Sequence, residues 1–328
     1  MTLQLTIDRV AWRAHVDAYR ASVDRLVPVV KGNGYGIGRW FLAAEAASWA
    51  STTWAGNRGV DTIAVGTVHE AATLGDLGAT DVICLTPALQ VPESLRPTVV
   101  PTVGHPAHIA ALRSSGWRGR VVVKLASSMR RYGVDADELD ALHELVRVAG
   151  FEVHSHMLHP PLPTPTERGV AEVDRWLDRL DPQIDVSLSH LSPDEFRQIQ
   201  ERHPRHRLSL RAGTALWHGD KSALHLSADV VETRRVRMGD IAGYRRTPIE
   251  ADGVLVMIGA GSAHGVTPLA DGRSPFHFAR HRLPLLESPH MHTTMTVALD
   301  DQPQPSIGDL VDVQRPLISV QPDEVIWR

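Results

Sequence analysis

The chain has a single cysteine, no excess of basic residues and no long hydrophobic run. Because Cys84 is the single cysteine, no intrachain disulfide can form, which fits a reducing cytoplasm. Its apolar neighbours predict a buried thiol. The formal net charge of −4 gives no global positive field for nucleic acid or for an anionic membrane surface. No run reaches membrane-spanning length, and the first residues lack the apolar region of a secretory leader. A cytoplasmic globular protein is the expected class.

Eight short apolar runs separated by amphipathic segments occupy the first two thirds of the chain. Strands that alternate with helices in this way predict an α/β fold, a parallel (β/α)8 or TIM barrel. The alternative, an open doubly wound sheet, is disfavoured because no Gly-x-Gly-x-x-Gly follows the first run with an acidic residue about 20 positions later. The runs are Val27–Val30, Thr62–Val65, Asp81–Leu85, Val99–Val103, Arg120–Leu125, Phe151–His156, Asp185–Ser189 and Arg207–Leu210.

The pattern changes after Asp220 to strand-like runs separated by turn residues such as Gly239-Asp240 and Gly308-Asp309. This pattern is typical of an all-β domain. We therefore predict a barrel domain over residues 1–222 and a C-terminal β domain over residues 223–328. Residues 1–8 alternate weakly and could pair with the β domain.

Uncommon polar residues follow the predicted strands, at the ends where barrel enzymes form their sites. Any one of them could be a packed polar residue or a solvated loop charge, but their shared position predicts an active site. They are Lys31 after the first run, Lys124 and Arg131 after the fifth, His156 after the sixth, Ser189 after the seventh and Arg211 after the eighth.

Lys31 ends a short apolar run and is followed at once by a turn rich in glycine. A lysine at the mouth of a buried strand is partly desolvated, which lowers its pKa, as a lysine that forms a Schiff base requires. The glycines allow positive φ and a close approach of the backbone to a ligand. A solvated lysine in an ordinary loop is the alternative interpretation.

The segment Lys31–Gly38, with the sequence K-G-N-G-Y-G-I-G, resembles the K-A-N-A-Y-G-H-G motif of the alanine racemase family. The resemblance implies that Lys31 carries pyridoxal 5′-phosphate (PLP) and that Tyr35 helps to hold its phosphate. It also implies an isomerase acting at the α-carbon of an amino acid. The implied assembly is a head-to-tail homodimer of chains with a barrel and a β domain, in which each site is completed by the partner.

Two further segments carry the resemblance. Arg211–Trp217 is similar to the family's R-P-G-I-A-L-Y, which implies that Arg211 faces the pyridine nitrogen and that the N–H groups of Gly213 and Thr214 hold the phosphate. Lys124–Gly133 resembles K-V-D-T-G-M-G-R-L-G, which implies that Arg131 reaches the cofactor's 3′ oxygen and the substrate carboxylate. The family's aspartate is Ala126 here and its first glycine is Ser128, and the role of Lys124 stays open.

The strand that ends at His156 is similar to a family strand whose histidine stacks on the PLP ring, so the resemblance assigns that role to His156. The nearby His154 and His159 raise the alternative of a zinc site, but no cysteine or acidic ligand joins them, and no metal is predicted. Ser189 is the predicted phosphate donor and Ser192 its alternative. Ser192 could instead cap the next helix, because Pro193 follows it.

The second acid–base group of the family is a tyrosine in I-G-Y-A-D-G, whereas the corresponding segment Ile258–Gly265 contains no tyrosine. Racemisation needs such a group on each face of the reacting carbon, and His264 is the candidate because its ordinary pKa suits proton transfer. A loop histidine is the alternative. Met291, in a segment that resembles C-M-D-Q-L-M, would offer its backbone N–H to the substrate carboxylate.

The absent tyrosine keeps other functions open. One alternative is a PLP enzyme that uses a single base, such as a decarboxylase, a lyase or an enzyme that exchanges the α-proton. The other is a catalytically weak PLP-binding protein. The sequence does not identify the amino acid.

Overall fold

The computed structural model of the chain describes residues 2–51, 59–162, 168–219 and 221–328. The chain divides into two compact units. The α/β unit comprises His15–Gly34 and Gly38–Trp217. The β-rich unit comprises the N-terminal segment up to Ala14, the short piece Tyr35–Ile37 and the chain from His218 to Arg328.

In chain order the strands are β1 (Leu3–Ile7), β2 (Leu26–Pro28), β3 (Thr62–Val65), β4 (Asp81–Cys84), β5 (Val99–Val100), β6 (Thr102–Val103), β7 (Arg120–Lys124), β8 (Glu152–Met157), β9 (Asp185–Ser189), β10 (Leu208–Ala212), β11 (Leu224–Val236), β12 (Ile241–Ala242), β13 (Thr247–Pro248), β14 (Gly253–Ile258), β15 (Phe276–Phe278), β16 (His281–Arg282), β17 (Thr294–Leu299), β18 (Leu310–Val313) and β19 (Glu324–Trp327). The helices are α1 (Arg9–Ala21), α2 (Arg39–Ala47), α3 (Val68–Thr73), α4 (Pro106–Ser114), α5 (Leu139–Val148), α6 (Arg168–Leu177), α7 (Pro193–Arg202) and α8 (Thr214–Trp217).

All strand pairs of the α/β unit are parallel. One series runs β2, β10, β9, β8, β7 and β6, and a second runs β3, β4 and β5. Strands β5 and β6 are two parts of one extended segment, interrupted at Pro101, which has no N–H to donate to a sheet. A parallel bridge between Val29 and Ala64 joins the end of β2 to β3. The predicted apolar runs therefore supply the strands of these two parallel series, and the α/β class with parallel sheets is confirmed.

The strands of this unit are rich in valine, isoleucine and leucine because both faces of a parallel sheet are covered. Every residue of β3 is buried, and β7 is buried from Val121 to its last residue, Lys124. Cys84 at the end of β4 is a buried free thiol, as predicted. A buried lysine and a buried arginine lie at or near the carboxyl ends of two of these strands, Lys124 in β7 and Arg211 in β10.

The β-rich unit is built around the long strand β11, which pairs antiparallel with β1, β14 and β18. Strand β1 also pairs with β19, in parallel. Each residue of β1 that faces the interior, Leu3, Leu5 and Ile7, is fully buried. Alternation of buried and part-buried residues along β1 and β17 is the period-two pattern of a sheet with one covered face.

In the described part of the chain, no helix is both long enough and apolar enough to cross a membrane.

Candidate active site

Four basic side chains occupy the carboxyl ends of the strands in the α/β unit. Parallel strands bring these ends to one edge, which is where the sequence predicted a site. The four groups influence one another: the charges of Arg131 and Arg211 lower the pKa of Lys31 and of Lys124, after the larger effect of burial on each. We call Lys31, Lys124, Arg131 and Arg211 the basic cluster.

Lys31 follows β2 and its side chain is open to solvent, so the amine is accessible to a ligand. Its pKa is nevertheless lowered, first by desolvation of the amine and then by the charge of Arg131. The charge of Glu70 acts in the opposite direction and raises it. The predicted direction is confirmed, and a lysine with a lowered pKa holds a larger fraction of the neutral amine that attacks a carbonyl.

Glu70 and Arg39 brace the turn that follows Lys31. One carboxylate oxygen of Glu70 accepts a hydrogen bond from the backbone of Gly32 at 3.2 Å, and the other accepts from Gly66 at 2.7 Å. Arg39 donates to the carbonyl oxygen of Gly32 at 2.8 Å. The turn needs glycine at residue 34, where φ is +64° and a Cβ atom would lie 2.1 Å from the nitrogen of Arg39.

Arg211 lies at the end of β10 with only 4% of its surface exposed. Its guanidinium donates to the carbonyl oxygens of Ser187 and Leu158, at 2.5 and 2.8 Å, and to Oγ of Ser189 at 3.1 Å. Burial lowers its pKa to about 9, so the group keeps its charge at neutral pH. The three hydrogen bonds fix the plane of the guanidinium.

Ser189 connects Arg211 to His159. Its Oγ lies 2.5 Å from Nδ1 of His159, whose ring packs 4.2 Å from the ring of His190. Burial, followed by the charge of Arg211, lowers the pKa of His159 to about 2, so the imidazole is neutral. A neutral ring with an unprotonated Nδ1 accepts the hydroxyl hydrogen of Ser189, while the same oxygen accepts from Arg211.

Lys124 is the most deeply enclosed lysine of the cluster, with 4% of its surface exposed. Burial lowers its pKa to about 6, and the charges of Arg211 and Arg131 act in the same direction. Its amine lies 6.0 Å from the centre of the Tyr132 ring, while the Arg131 guanidinium lies 4.9 Å from that centre. Both groups therefore lie near the face of Tyr132, which is a favourable neighbour for the Arg131 cation.

In the described part of the chain, the charge of the basic cluster is offset in part by Glu70, whose carboxylate acts on Lys31. Within residues 2–51, 59–162, 168–219 and 221–328, neither Lys124 nor Arg131 nor Arg211 forms an ion pair. Several positive groups in a partly dehydrated site favour an anion, and a phosphate and a carboxylate are the anions that arginine forks bind best. An accessible amine beside such a cluster fits an anionic carbonyl compound, and PLP has both features.

The structure does not bring His156 to the basic cluster. Its Nε2 lies 3.0 Å from Nε2 of His143 on α5, so the ring is directed to the helix layer. The ring is fully buried, and burial lowers its pKa to about 3. Strand β8 ends one residue later, and His159, three residues beyond His156, is the histidine that meets Ser189. The expectation that His156 stacks on the cofactor is corrected accordingly, since alternate strand residues face opposite sides.

Ser192 has the role of a helix cap. Its Oγ accepts from the backbone of Glu195, and the Glu195 carboxylate accepts from the backbone of Ser192, which forms a capping box at the start of α7. The capping alternative is confirmed. Gly213 directly precedes α8, and its carbonyl oxygen accepts from Leu216 and Trp217. The N–H groups of Gly213 and Thr214 thus lie at the start of α8, where the helix itself supplies no acceptor.

Tyr35, His264 and Met291 belong to the β-rich unit. Tyr35 is 5% exposed with φ of +58°, and its carbonyl oxygen accepts from Nε2 of His218 at 2.7 Å. Met291 is 66% exposed, and its carbonyl oxygen accepts from Ala263.

His264 uses both ring nitrogens within the β-rich unit. Nδ1 accepts from the backbone of Gly261 at 3.0 Å, and Nε2 lies 3.2 Å from the carboxylate of Asp323. Because Nδ1 must keep its lone pair, Nε2 carries the hydrogen that Asp323 accepts. Asp323 also accepts from the backbone of Leu3 at 2.8 Å, so the histidine ties the turn Ser262–His264 to β1.

Sequence reasoning missed three contributors: Glu70, the site position of His159, and Glu172, which accepts two hydrogen bonds from Ser128. Glu70 lies in an amphipathic helix and gives no local signal. His159 had a signal, because it stands just after a strand end, where barrel sites form. In the described part of the chain, no group of three or more His, Cys, Asp or Glu side chains is arranged to hold a metal ion.

Comparison with known proteins supports the family resemblance found in the sequence. The alanine racemase of Corynebacterium efficiens is 25% identical over 309 residues, which cover 87% of this chain and 81% of that protein. The alanine racemase of Corynebacterium glutamicum is 25% identical over 294 residues, covering 83% and 78%. The chain thus aligns with most of the length of both relatives.

Solved structures agree in fold. An alanine racemase from Bartonella henselae with covalently bound pyridoxal phosphate superposes with a TM-score of 0.71 at 20% identity, covering all of both chains. The alanine racemase from Streptomyces lavendulae gives a TM-score of 0.72 at 19% identity, covering 100% of this chain and 97% of that one. At these identities the similarity shows the fold alone.

The family match covers more than half of the chain. Residues 7–221 match the profile described as alanine racemase, N-terminal domain. This range contains β2 to β10 and every member of the basic cluster. The chain belongs to the alanine racemase N-terminal domain family.

Proposed function

We propose that the chain is a PLP-dependent, racemase-like isomerase that acts at the α-carbon of an amino acid. The observation that carries the proposal is an accessible lysine of lowered pKa beside Lys124, Arg131 and Arg211, which form no ion pair within the described residues, in a member of this family. Relatives named alanine racemase support the reaction class, and the Bartonella henselae structure, with its covalently bound pyridoxal phosphate, supports the cofactor.

Bound PLP would supply an electron-withdrawing ring that stabilises negative charge on the substrate's α-carbon. Lys31 would anchor it covalently and act as one acid–base group. Arg211, charged and fixed by three hydrogen bonds, would face the ring nitrogen and keep it unprotonated. His159 would line the ring face in place of His156, since its neutral imidazole lies beside Ser189.

The remaining roles follow the family resemblance. Tyr35 and the N–H groups of Gly213 and Thr214 would hold the phosphate, as first-turn N–H groups suit an anion. Arg131 would receive the substrate carboxylate, aided by the backbone of Met291. Ser189 would act through His159 and Arg211, because both already share its oxygen.

Racemisation also needs a second acid–base group, on the face of the α-carbon opposite Lys31. His264 remains the sequence-based candidate, but its two engaged ring nitrogens favour a structural role in the turn Ser262–His264. Unchanged racemisation by a His264→Ala variant would remove this histidine from the mechanism. Exchange of the α-proton without inversion would instead support an enzyme with one base.

The proposed architecture is a (β/α)8 barrel followed by a β domain, with a boundary near residue 222. The two parallel series, the bridge between Val29 and Ala64 that links them, and the fold of the alanine racemases support it. A head-to-tail homodimer and a cytoplasmic location complete the proposal. The single buried thiol of Cys84 suits a reducing compartment.

The test begins with the visible spectrum of the purified protein, followed by borohydride reduction and peptide mapping. We expect an absorption band of bound PLP and a pyridoxyl group on Lys31. The matched variant Lys31→Arg should keep the fold and lose the label. If neither the purified protein nor protein incubated with PLP carries the cofactor, the proposal fails. Proton exchange at the α-carbon in deuterated water, measured over a panel of amino acids, then identifies the substrate.

A further inference from the structure

Arg131 is carried by a loop, residues 126–133, that needs support from outside itself. Arg130 has φ of +50° and Gly133 has φ of +142°. A side chain at residue 133 would place Cβ 2.6 Å from the backbone of Leu125 and Ala126. Left-handed backbone at a residue other than glycine is unfavourable unless tertiary contacts hold it. We call residues 126–133 the Arg131 loop.

The base of the Arg131 loop is closed by backbone hydrogen bonds. The N–H of Ala126 donates to Val134 at 2.9 Å, and the N–H of Val134 donates to Lys124 at 2.8 Å. These bonds fix the two ends, which continue β7. Inside the loop the N–H of Arg130 donates to the carbonyl oxygen of Ser127 at 2.8 Å, and the Ser127 hydroxyl donates to the carbonyl oxygen of His159 at 2.9 Å.

Glu172 on α6 fixes the outer part of the Arg131 loop. Its two carboxylate oxygens accept from the backbone N–H of Ser128 at 2.6 Å and from the Ser128 hydroxyl at 2.8 Å. One turn later on the same helix, Nε1 of Trp176 donates to the carbonyl oxygen of Ala126 at 3.0 Å. Residues four apart face the same side of a helix, so α6 holds the loop at two points.

The Glu172 carboxylate is unusual in its burial. It is 7% exposed, and in the described part of the chain it forms no ion pair with a lysine or an arginine. A buried carboxylate is costly unless hydrogen bonds compensate it, and here both compensating bonds come from Ser128. The second bond exists because Ser128 replaces the glycine of the family motif, and glycine has no hydroxyl.

We propose that Glu172 is a positioning residue. Its carboxylate, through Ser128, holds the loop that carries Arg131 and so fixes the position of the Arg131 guanidinium relative to Lys31. The consequence for substrate rests on the proposed function, in which Arg131 receives the carboxylate of the amino acid. The guanidinium packs on Tyr132 of the same loop at 4.9 Å, so a displaced loop carries Arg131 with it.

Lys31 reports the position of Arg131 because the charge of Arg131 lowers the Lys31 pKa, after the larger effect of desolvation. The measurement is the pH dependence of Lys31 acylation by acetic anhydride in the full-length protein after removal of any bound PLP, followed by peptide mapping. In Glu172→Ala we expect the midpoint to rise by about half a pH unit, which is roughly a threefold loss of neutral amine at a fixed pH.

Glu172→Gln is the matched variant, because its amide oxygen still accepts from the Ser128 N–H, and its midpoint should stay near that of the wild type. Glu172→Gln also removes the carboxylate charge, as Glu172→Ala does, and so controls for the loss of that charge. Glu144→Ala, on the exposed side of α5, controls for a change of helix surface. A Glu172→Ala protein that is less stable but has an unchanged Lys31 midpoint would overturn the proposal, since a merely structural role predicts that result.

If Glu172→Ala does not fold, Ser128→Gly removes one of the two bonds and restores the residue of the family motif. The Arg131→Ala variant gives the Lys31 acylation midpoint without the Arg131 charge. A Ser128→Gly midpoint between that value and the wild-type value supports the proposal, and a Ser128→Gly midpoint equal to that of the wild type refutes it. In the protein loaded with PLP, the proposed function adds a rise in KM for the amino acid with a smaller change in kcat. Absence of PLP binding would refute the proposed function and leave the acylation result valid.

Discussion

Individual residues of this protein titrate far from their usual ranges because burial outweighs local charge. His156 is fully buried between β8 and α5, and its Nδ1 has no hydrogen-bond partner in the described residues. Desolvation lowers its pKa to about 3, and the nearby His143 acts in the same direction. A histidine kept neutral in this way contributes no charge to the site, but it makes the folded state sensitive to acid.

We expect stability to fall as pH decreases from about 6.5 towards 3. In this window the unfolded histidine binds a proton that the folded one does not, so unfolding becomes easier by up to about 1.4 kcal/mol per pH unit for this group. Urea unfolding followed by tryptophan fluorescence between pH 7 and 4 measures the slope. His156→Leu should reduce the slope. Equal slopes in wild type and His156→Leu would contradict the assignment.

At the level of helices and strands, two serines form polar contacts at the ends of neighbouring elements. Helix α7 begins with the capping box of Ser192 and Glu195, whereas Ser189, three residues earlier, ends β9 with its hydroxyl between Arg211 and His159. The two serines are close in sequence but belong to different elements. A cap stabilises its helix, whereas a serine bonded to both Arg211 and His159 orients two groups of the site.

Ser192→Ala should cost about 1 kcal/mol of unfolding free energy, as loss of a helix cap does, and leave PLP binding unchanged. Ser189→Ala should weaken PLP binding, because Arg211 loses one of its three acceptors and His159 loses its partner. Paired thermal unfolding and cofactor titration separate the two effects. Weaker PLP binding in Ser192→Ala would revive Ser192 as the phosphate donor.

The turn after Lys31 depends in a similar way on α3, through Glu70. Replacing Glu70 by Gln keeps an oxygen for one backbone N–H and removes the negative charge that raises the Lys31 pKa. The acylation midpoint of Lys31 should therefore move to lower pH, opposite in direction to the shift expected for Glu172→Ala. Glu45→Gln on α2 serves as the control. A rise of the midpoint in Glu70→Gln would show that loss of the turn dominates over loss of the charge.

At the scale of the whole molecule, the proposed function needs residues from both units, namely Lys31 from one and the backbone of Met291 from the other. The proposed head-to-tail homodimer supplies them from different chains. Closed two-fold assemblies of this kind place the same two surfaces at both sites. Sedimentation should accordingly give twice the mass of the chain.

Mixing variants tests which chain completes each site. Lys31→Ala removes the anchor, and Met291→Pro removes the backbone N–H while Met291 itself is exposed. If partners share sites, subunit exchange of the two inactive proteins restores one intact site in each mixed dimer. Activity should then reach about a quarter of the wild-type value. No recovery after verified exchange would mean that each chain completes its own site.

Local sequence patterns were sufficient to predict the alternation of strands and helices, the strand-rich C-terminal part and the place of the basic residues at strand ends. These features are local: apolar periodicity reports burial, and glycine reports turns such as that at residue 34. The lowered pKa of Lys31 followed from its position after a buried strand, and the Ser192 cap was foreseen as an alternative.

The contacts between side chains of different elements could not be predicted from local patterns. His156 and His159 are three residues apart, and the end of β8 determines that the first faces α5 while the second meets Ser189. Glu70 and Glu172 reach the site from helices that are distant in sequence from Lys31 and Arg131. Contacts of this kind depend on how a strand end is turned and where a helix packs, and these are properties of packing between elements rather than of any local pattern.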